Sequence, residues 1–168
     1  TGHVHRPGPN VLPDAFALPA QEPPLTQPFF MVRRAALVAV GGYRPLPVSE
    51  DSDLYWRLAE FGRLDCLPDI LGRYRMHGGS ISSASIRHGR QMALWSQLAA
   101  LSAQRRLAGT EDLALSGRLP ATAPSEAGLA EQVAEASRLF ALTSAETDWL
   151  SRAVAAKLMD WPDTGPMN

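Results

Sequence analysis

Cysteine is nearly absent from this chain. Cys66 is the only one, so no disulfide can form within it, and nothing in its thiol content points to an oxidising compartment. Lysine is as scarce: Lys157 is the single lysine among 16 basic residues, and no function is read from that bias. Neither sign of charge is in excess. A formal net charge of -1 provides no electrostatic pull toward nucleic acid or anionic lipid, which sets nucleic acid aside as a principal partner. No apolar run approaches the ~18 residues that a membrane crossing requires. The segment Thr1 to Asn10 lacks a charged-then-apolar targeting pattern. The expected location is cytoplasmic, with peripheral attachment to a membrane compatible with it. Internal repeats and low-complexity tracts are also missing.

What is present is ordinary globular material. With 168 residues, 45% hydrophobic and 20% charged, the chain can bury a core and form one domain or a small domain with an appendage. Its prolines are unevenly spread. Seven of the 14 precede Phe29, so residues 1–28 are expected as an extended, wandering arm. Such an arm implies a surface for it to lie across, and suggests a chain cut from a longer one.

Phe29-Phe30-Met31-Val32 has the apolar character of a short buried strand. Ala35 to Val40 reads as a brief helix closed by Gly41-Gly42. Ser49 can cap the next helix, which carries Leu54, Leu58 and Phe61 on one side and stops at Gly62. Leu64 to Leu67 and Ile70 to Met76 suit two further strands, separated by Pro68-Asp69. From residue 86 the composition turns to helix, with Leu94, Leu98 and Leu101 on one stripe to about Ala108. Leu129, Val133, Ala136 and Phe140 give the cleanest helical period in the chain. Thr143 and Glu146 have capping-box spacing and open a last helix bearing Leu150, Val154 and Leu158. The predicted organisation is therefore an arm over 1–28, an α/β core over 29–85 and a mainly α-helical extension over 86–168, whose last two helices form a hairpin.

Chemistry concentrates at two places. Glu50, Asp51 and Asp53 crowd the first turn of a helix, where acids commonly complement exposed N–H groups and the helix dipole. A carboxylate there that faces a cleft could instead act as a general base. Asp51 and Asp53 also spell a D-x-D chelating pattern, but residues two apart on a helix point about 200° apart, which prevents a shared ion. His77 follows a predicted strand and precedes Gly78-Gly79-Ser80. Its imidazole suits a divalent ion held together with phosphate oxygens, and the glycines would admit backbone N–H groups to a diphosphate. Arg33, Arg34, Arg73 and Arg75 could neutralise phosphate or remain solvated. Trp95 is expected in the core, Trp56 is open between core and sugar stacking, and Cys66 reads as a small buried hydrophobe. His3, His5 and His88 have the setting of solvated side chains.

Taken in order, Phe30-Met31-Val32-Arg33-Arg34, Val40-Gly41-Gly42-Tyr43, Glu50-Asp51-Ser52-Asp53-Leu54, Pro68, Tyr74-Arg75-Met76-His77 and Ser80-Ile81-Ser82 resemble the C-terminal part of family 2 glycosyltransferases of the GT-A fold. The resemblance spans residues from about 26 to 85, roughly a third of the chain. It implies an inverting enzyme that transfers a sugar from a nucleotide-sugar donor to an acceptor hydroxyl. Asp51 would be the base and Glu50 would orient the acceptor. Gly41, Gly42, Arg75, Gly78, Gly79 and Ser80 would line the donor and acceptor sites. His77 would bind a divalent metal, Mn or Mg, on the donor phosphates. The nucleotide-binding half of that family and its metal-binding D-x-D have no counterpart here. Nor does the Q-x-x-R-W pattern of processive synthases, which favours single additions, for example onto a cell-envelope polysaccharide. Without that half the isolated chain is expected to be inactive and to self-associate through its bare sheet edge. Two rival readings are a non-catalytic helical interaction module and a small hydrolase using Asp51 and His77. The hydrolase lacks a nucleophile in a recognisable setting.

Overall fold

Leucine and alanine alternate with small polar residues between Ala93 and Ala103, and all eleven of these side chains are buried. A helix that is covered all round must be the hub of its fold. In the computed structural model, which describes residues 12–73, 89–113, 115 and 128–159, that hub is the third of the helices α1 (Arg34–Ala39), α2 (Glu50–Phe61), α3 (Gly89–Leu107), α4 (Leu129–Leu139) and α5 (Ser144–Met159). Helices α2 and α5 flank α3, while α4 folds back on α5 and touches α3. Small residues such as Ala93, Ala99, Ala100 and Ala103 let these neighbours approach closely. Leu98, Leu101, Val133, Leu150 and Val154 fill the space between them.

The helical half follows the sequence pattern. Val133 and Ala136 turn inward from α4, and Phe140 meets Trp95 edge to face with ring centroids 6.0 Å apart. The capping box at α5 forms: Thr143 N–H donates to Glu146 Oε2 at 2.7 Å, and Glu146 N–H donates to Thr143 Oγ1 at 3.3 Å. Arg105 grips the same carboxylate with two bonds, of 2.6 and 2.9 Å, and so ties α3 to the start of α5. Helix α1 ends as expected, because Gly41 and Gly42 take φ of 78° and 68° while their N–H groups bond the carbonyls of Val38 and Leu37.

The predicted α/β core does not form. Among the described residues there is no sheet, only an isolated antiparallel bridge between Asp14 and Gln21. The run Phe29 to Val32 is the end of a 3-10 turn, Gln27–Phe29, followed by extended chain in which Met31 is 95% exposed. Leu64 to Leu67 and residues 70–73 are likewise unpaired coil, with Leu67, Ile70 and Leu71 exposed. Apolar and β-branched residues fit a strand only when a neighbouring strand takes up their backbone groups. Here the segments meet through side chains instead: the Phe29 ring occupies the space that a side chain at Gly72 would need.

Ser49 departs from its expected role too. It sits at the N-cap of α2 with φ 59° but makes no capping bond, because its hydroxyl donates to Met92 O of α3 at 3.3 Å. Phe61, expected on the inner stripe, is exposed at the C-terminal end of α2. Cys66 is half-buried and its thiol faces Pro24 O at 2.7 Å.

The described part of the arm is held on the hub. Paired 2.9 Å bonds between Asp14 and Gln21 close a loop, and Asp14 Oδ1 accepts the N–H groups of Phe16 and Ala17. Its buried residues Ala15 and Ala20 are latched to α3 by amide side chains. Gln104 donates to Ala15 O at 2.6 Å, and Gln97 Oε1 accepts from Ala20 N at 3.0 Å.

Candidate active site

Helix α2 presents its acids to two different environments. Asp53 is fully buried. Its Oδ2 receives Arg57 through Nε at 3.0 Å and a terminal nitrogen at 2.6 Å, and its Oδ1 receives Arg44 at 3.3 Å. Arg57 also donates to Val40 O, which pins the end of α1 to α2. Arg44 continues to Asp112 at 2.6 Å, and Asp112 to Arg106, which holds Glu60 with paired bonds. Burial alone would push the Asp112 carboxyl up, but bonds from Arg44 and Ser102 and the charge of Arg106 bring it down to about 2. Every acid in this network is neutralised, and its role is to join α1, α2, α3 and the segment after α3.

Asp51 is different. It lies half-buried on the opposite face, and its Oδ1 accepts the Ser52 N–H at 2.9 Å. Burial pushes its carboxyl up, the Ser52 N–H partly offsets this, and the neighbouring negative charges of Glu50 and Glu22 push it further up. Glu22 comes from the arm. It accepts Ser52 Oγ–H at 2.7 Å and pairs with Lys157 of α5, the chain's single lysine. One helical turn after Asp51, Tyr55 buries its phenol against Phe30, with ring centroids 5.2 Å apart. The Tyr55 hydroxyl has no hydrogen-bond partner. Burial raises its proton affinity, and Asp51, Tyr43, Glu50 and Glu22 lie close enough to raise it further. Tyr43, partly exposed, accepts a bond from Gln27 at 3.3 Å. A carboxylate that is desolvated with no cation on it among the described residues, one helical turn from a buried hydroxyl, has the character of a proton-transfer site.

Of the residues singled out in the sequence, Glu50 and Asp51 are thus at one site. Gly41 and Gly42 close α1, and a Cβ at either would meet nothing within 4 Å, so it is backbone conformation that requires glycine there. Arg75, His77, Gly78, Gly79 and Ser80 lie outside the described residues, as do the other three histidines. Arg33, Arg34 and Arg73 are exposed. Trp56 and Trp95 are both in the core, which leaves neither ring free to stack on a ligand. The D-x-D pair is divided between two faces as the helical period requires. Among the described residues no group of three or more His, Cys, Asp or Glu side chains is arranged to hold a metal ion; His77, the metal ligand that the resemblance implies, lies outside them. No helix among them is long and apolar enough to cross a membrane.

Glu22 and Tyr55 were not singled out in the sequence, and Lys157 stood out there only as the single lysine. Tyr55 had a signal, its four-residue spacing from Asp51. Glu22 and Lys157, 135 residues apart, had none.

No family model, curated protein or solved structure matches the chain.

Proposed function

We propose that this chain is the acceptor-side part of an inverting glycosyltransferase, with Asp51 as the general base. The observation that carries this reading is the contrast within α2. Asp53 is neutralised by two arginines, whereas Asp51, at the position that the motif order marks as the base, is desolvated and has no cation on it among the described residues. In the proposed step the acceptor hydroxyl gives its proton to Asp51 while its oxygen bonds the anomeric carbon of the donor sugar. The bond from that carbon to the diphosphate breaks, and the nucleoside diphosphate leaves with the electron pair. A base whose proton affinity is raised toward the working pH takes the proton more effectively. Glu50, beside it, would orient the acceptor. A divalent ion, if held by His77, would neutralise charge on the leaving diphosphate. Donor binding in that family uses a nucleotide-binding half that has no counterpart in these residues, and the proposed reaction would need one.

The test is turnover of UDP- and GDP-sugars by the full encoded polypeptide with manganese present. Asp51→Asn is expected to lower transfer ~10²-fold or more and to leave nucleotide binding intact. Near-wild-type turnover in that variant, or no turnover of any donor by the wild type, would overturn the assignment.

The exposed side chains of Phe29, Met31, Leu67, Ile70 and Leu71 favour a second reading, an interaction module that associates through them. Sedimentation of the isolated chain over a range of concentrations distinguishes it, since a concentration-independent monomer counts against self-association.

A further inference from the structure

Two stretches of irregular chain lie side by side in this fold. The Cys66 thiol meets Pro24 O at 2.7 Å and the Phe29 ring fills the space beside Gly72, so residues 24–29 and 66–72 run in the same sense. Neither stretch is paired in a sheet, and each turns large apolar side chains to solvent: Phe29 and, just beyond it, Met31 on one, Leu67, Ile70 and Leu71 on the other. Exposed apolar side chains gathered in this way mark an interaction surface.

The charges beside them indicate what that surface fits. Seven of the eleven described arginines hold an acid. Arg33, Arg34 and Arg73 are among the four that do not, and all three are exposed. Arg33 and Arg34 stand at the N-cap and first residue of α1, where the positive end of a helix disfavours cations. Against them, Asp65 is held by Arg63 at 2.8 Å, and Asp69 is the one acid of these stretches without an ion pair among the described residues. Each stretch places arginine directly after its apolar side chains: Phe29 and Met31 precede Arg33 and Arg34, and Ile70 and Leu71 precede Arg73. Because the stretches run in the same sense, the arginines come at the same end of both. An anionic bilayer surface has the matching order, with acyl chains below and headgroup phosphates above. Being fluid, it needs no groove or sheet edge to receive the side chains, whereas a bound peptide uses one or the other.

We propose that this surface docks on an anionic lipid bilayer. Phe29, Met31, Leu67, Ile70 and Leu71 enter the interface, and Arg33, Arg34 and Arg73 meet headgroup phosphates. This names the partner for the reading of these side chains as an interface and rests on that reading; it is independent of the transferase step. The formal net charge of -1 does not oppose it, since charges more than about 8 Å from the bilayer are screened at physiological salt and the local cations decide.

Co-sedimentation of the full 168-residue chain with vesicles tests the proposal. The probes are vesicles of phosphatidylcholine alone and of phosphatidylcholine with about one-third phosphatidylserine. Binding is expected on the mixed vesicles and to be ~10²-fold weaker on phosphatidylcholine alone, at about 5-fold per arginine. Arg33→Gln, Arg34→Gln and Arg73→Gln combined are expected to lose the same ~10²-fold on the mixed vesicles. Met31→Ser with Leu71→Ser is expected to abolish binding. Met31 and Leu71 are 95% and 75% exposed, so the melting temperature of that variant is expected to match the wild type. No binding to the mixed vesicles, equal binding to both kinds, or undiminished binding in either variant would overturn the proposal. Vesicle-free sedimentation separates this from failure of the interface reading itself. Self-association that is lost in Met31→Ser with Leu71→Ser, with no vesicle binding by the wild type, would assign the surface to a second copy and sink the lipid proposal alone. A monomer that binds the mixed vesicles would uphold it.

Discussion

Asp51 and Asp53 stand two residues apart on α2 and meet opposite fates: Asp53 is sealed between Arg57 and Arg44, while Asp51 accepts the backbone N–H of Ser52 and feels the charge of two further acids, Glu50 and Glu22. The helical period makes the division. It sends one side chain toward the ends of α1 and α3 and the other toward the arm and α5. One carboxylate therefore serves the fold, and the other is held at the expense of its own solvation. The two should respond to mutation in opposite directions.

Asp53→Asn keeps the shape and removes the charge, which leaves Arg57 and Arg44 facing a neutral amide in a buried setting. Breaking one partner out of a buried ion pair costs about 3–5 kcal/mol. Urea denaturation at neutral pH is expected to show a loss of that size. A change below ~1 kcal/mol would mean that Arg44 and Arg57 find water or Asp112 instead.

Asp51→Asn is expected to hold or raise stability at pH 7. Its carboxyl is shifted upward in the folded state, so the native chain binds more protons than the unfolded one just above the ordinary value of 3.8. Stability contributed by this group therefore falls as pH rises through that window. Removing the ionisable group removes that penalty, a common property of residues kept for activity at the expense of folding. A melting temperature clearly below wild type at pH 7 would show that Asp51 is structural.

How far the sequence reveals this arrangement depends on whether the signal is local. The end of α1, the capping box of Thr143 and Glu146, and the inward stripes of α4 and α5 are carried by neighbours within one or two helical turns, and these were legible. That no strand forms over Phe29 to Val32, Leu64 to Leu67 or residues 70–73, the described part of the expected Ile70 to Met76 strand, was not, because the same apolar residues serve a strand or an exposed coil depending on what lies alongside. Ser49 looked like a cap because serine bonds free N–H groups at helix starts, yet Met92 O of α3, 43 residues away, takes its hydroxyl instead. At the candidate site Glu50 and Asp51 were legible from motif order. Glu22 and Lys157 were not, since only folding brings the arm and the last helix to α2.

Acid should weaken the link between α3 and α5. The Arg105 bonds hold the Glu146 carboxyl well below its ordinary 4.5, at about 2, with the Thr143 N–H and hydroxyl adding to the effect. The folded state thus stays ionised where the unfolded state takes up a proton. Stability from Glu146 is complete above about 4.5 and is lost as pH falls toward 2, and Asp112 acts in the same sense. Urea midpoints are expected to drop between pH 5 and pH 2.5, with a shallower drop in Glu146→Gln, which starts from a lower stability at pH 6. An unchanged acid slope in that variant would show that the Arg105 pair contributes nothing to the fold.

Gln97 offers a test of how the arm is held. Its side chain is fully buried in α3, its Oε1 takes the Ala20 N–H, and its Nε2 has no partner. Gln97→Ala would orphan the Ala20 N–H inside the protein at a cost of about 1–3 kcal/mol. Release of residues 14–22 avoids part of that cost by returning the N–H to water. The expected result is faster proteolysis and amide exchange in the arm, with α3 and α5 still protected. Because Glu22 travels with the arm, its bonds to Ser52 and Lys157 should be lost at the same time, and with them part of the negative charge that raises the Asp51 carboxyl. The Asp51 titration, followed by carbon-13 NMR of its side chain, is then expected to move down toward the ordinary value. Arm release without that movement would separate Glu22 from the electrostatics of the site.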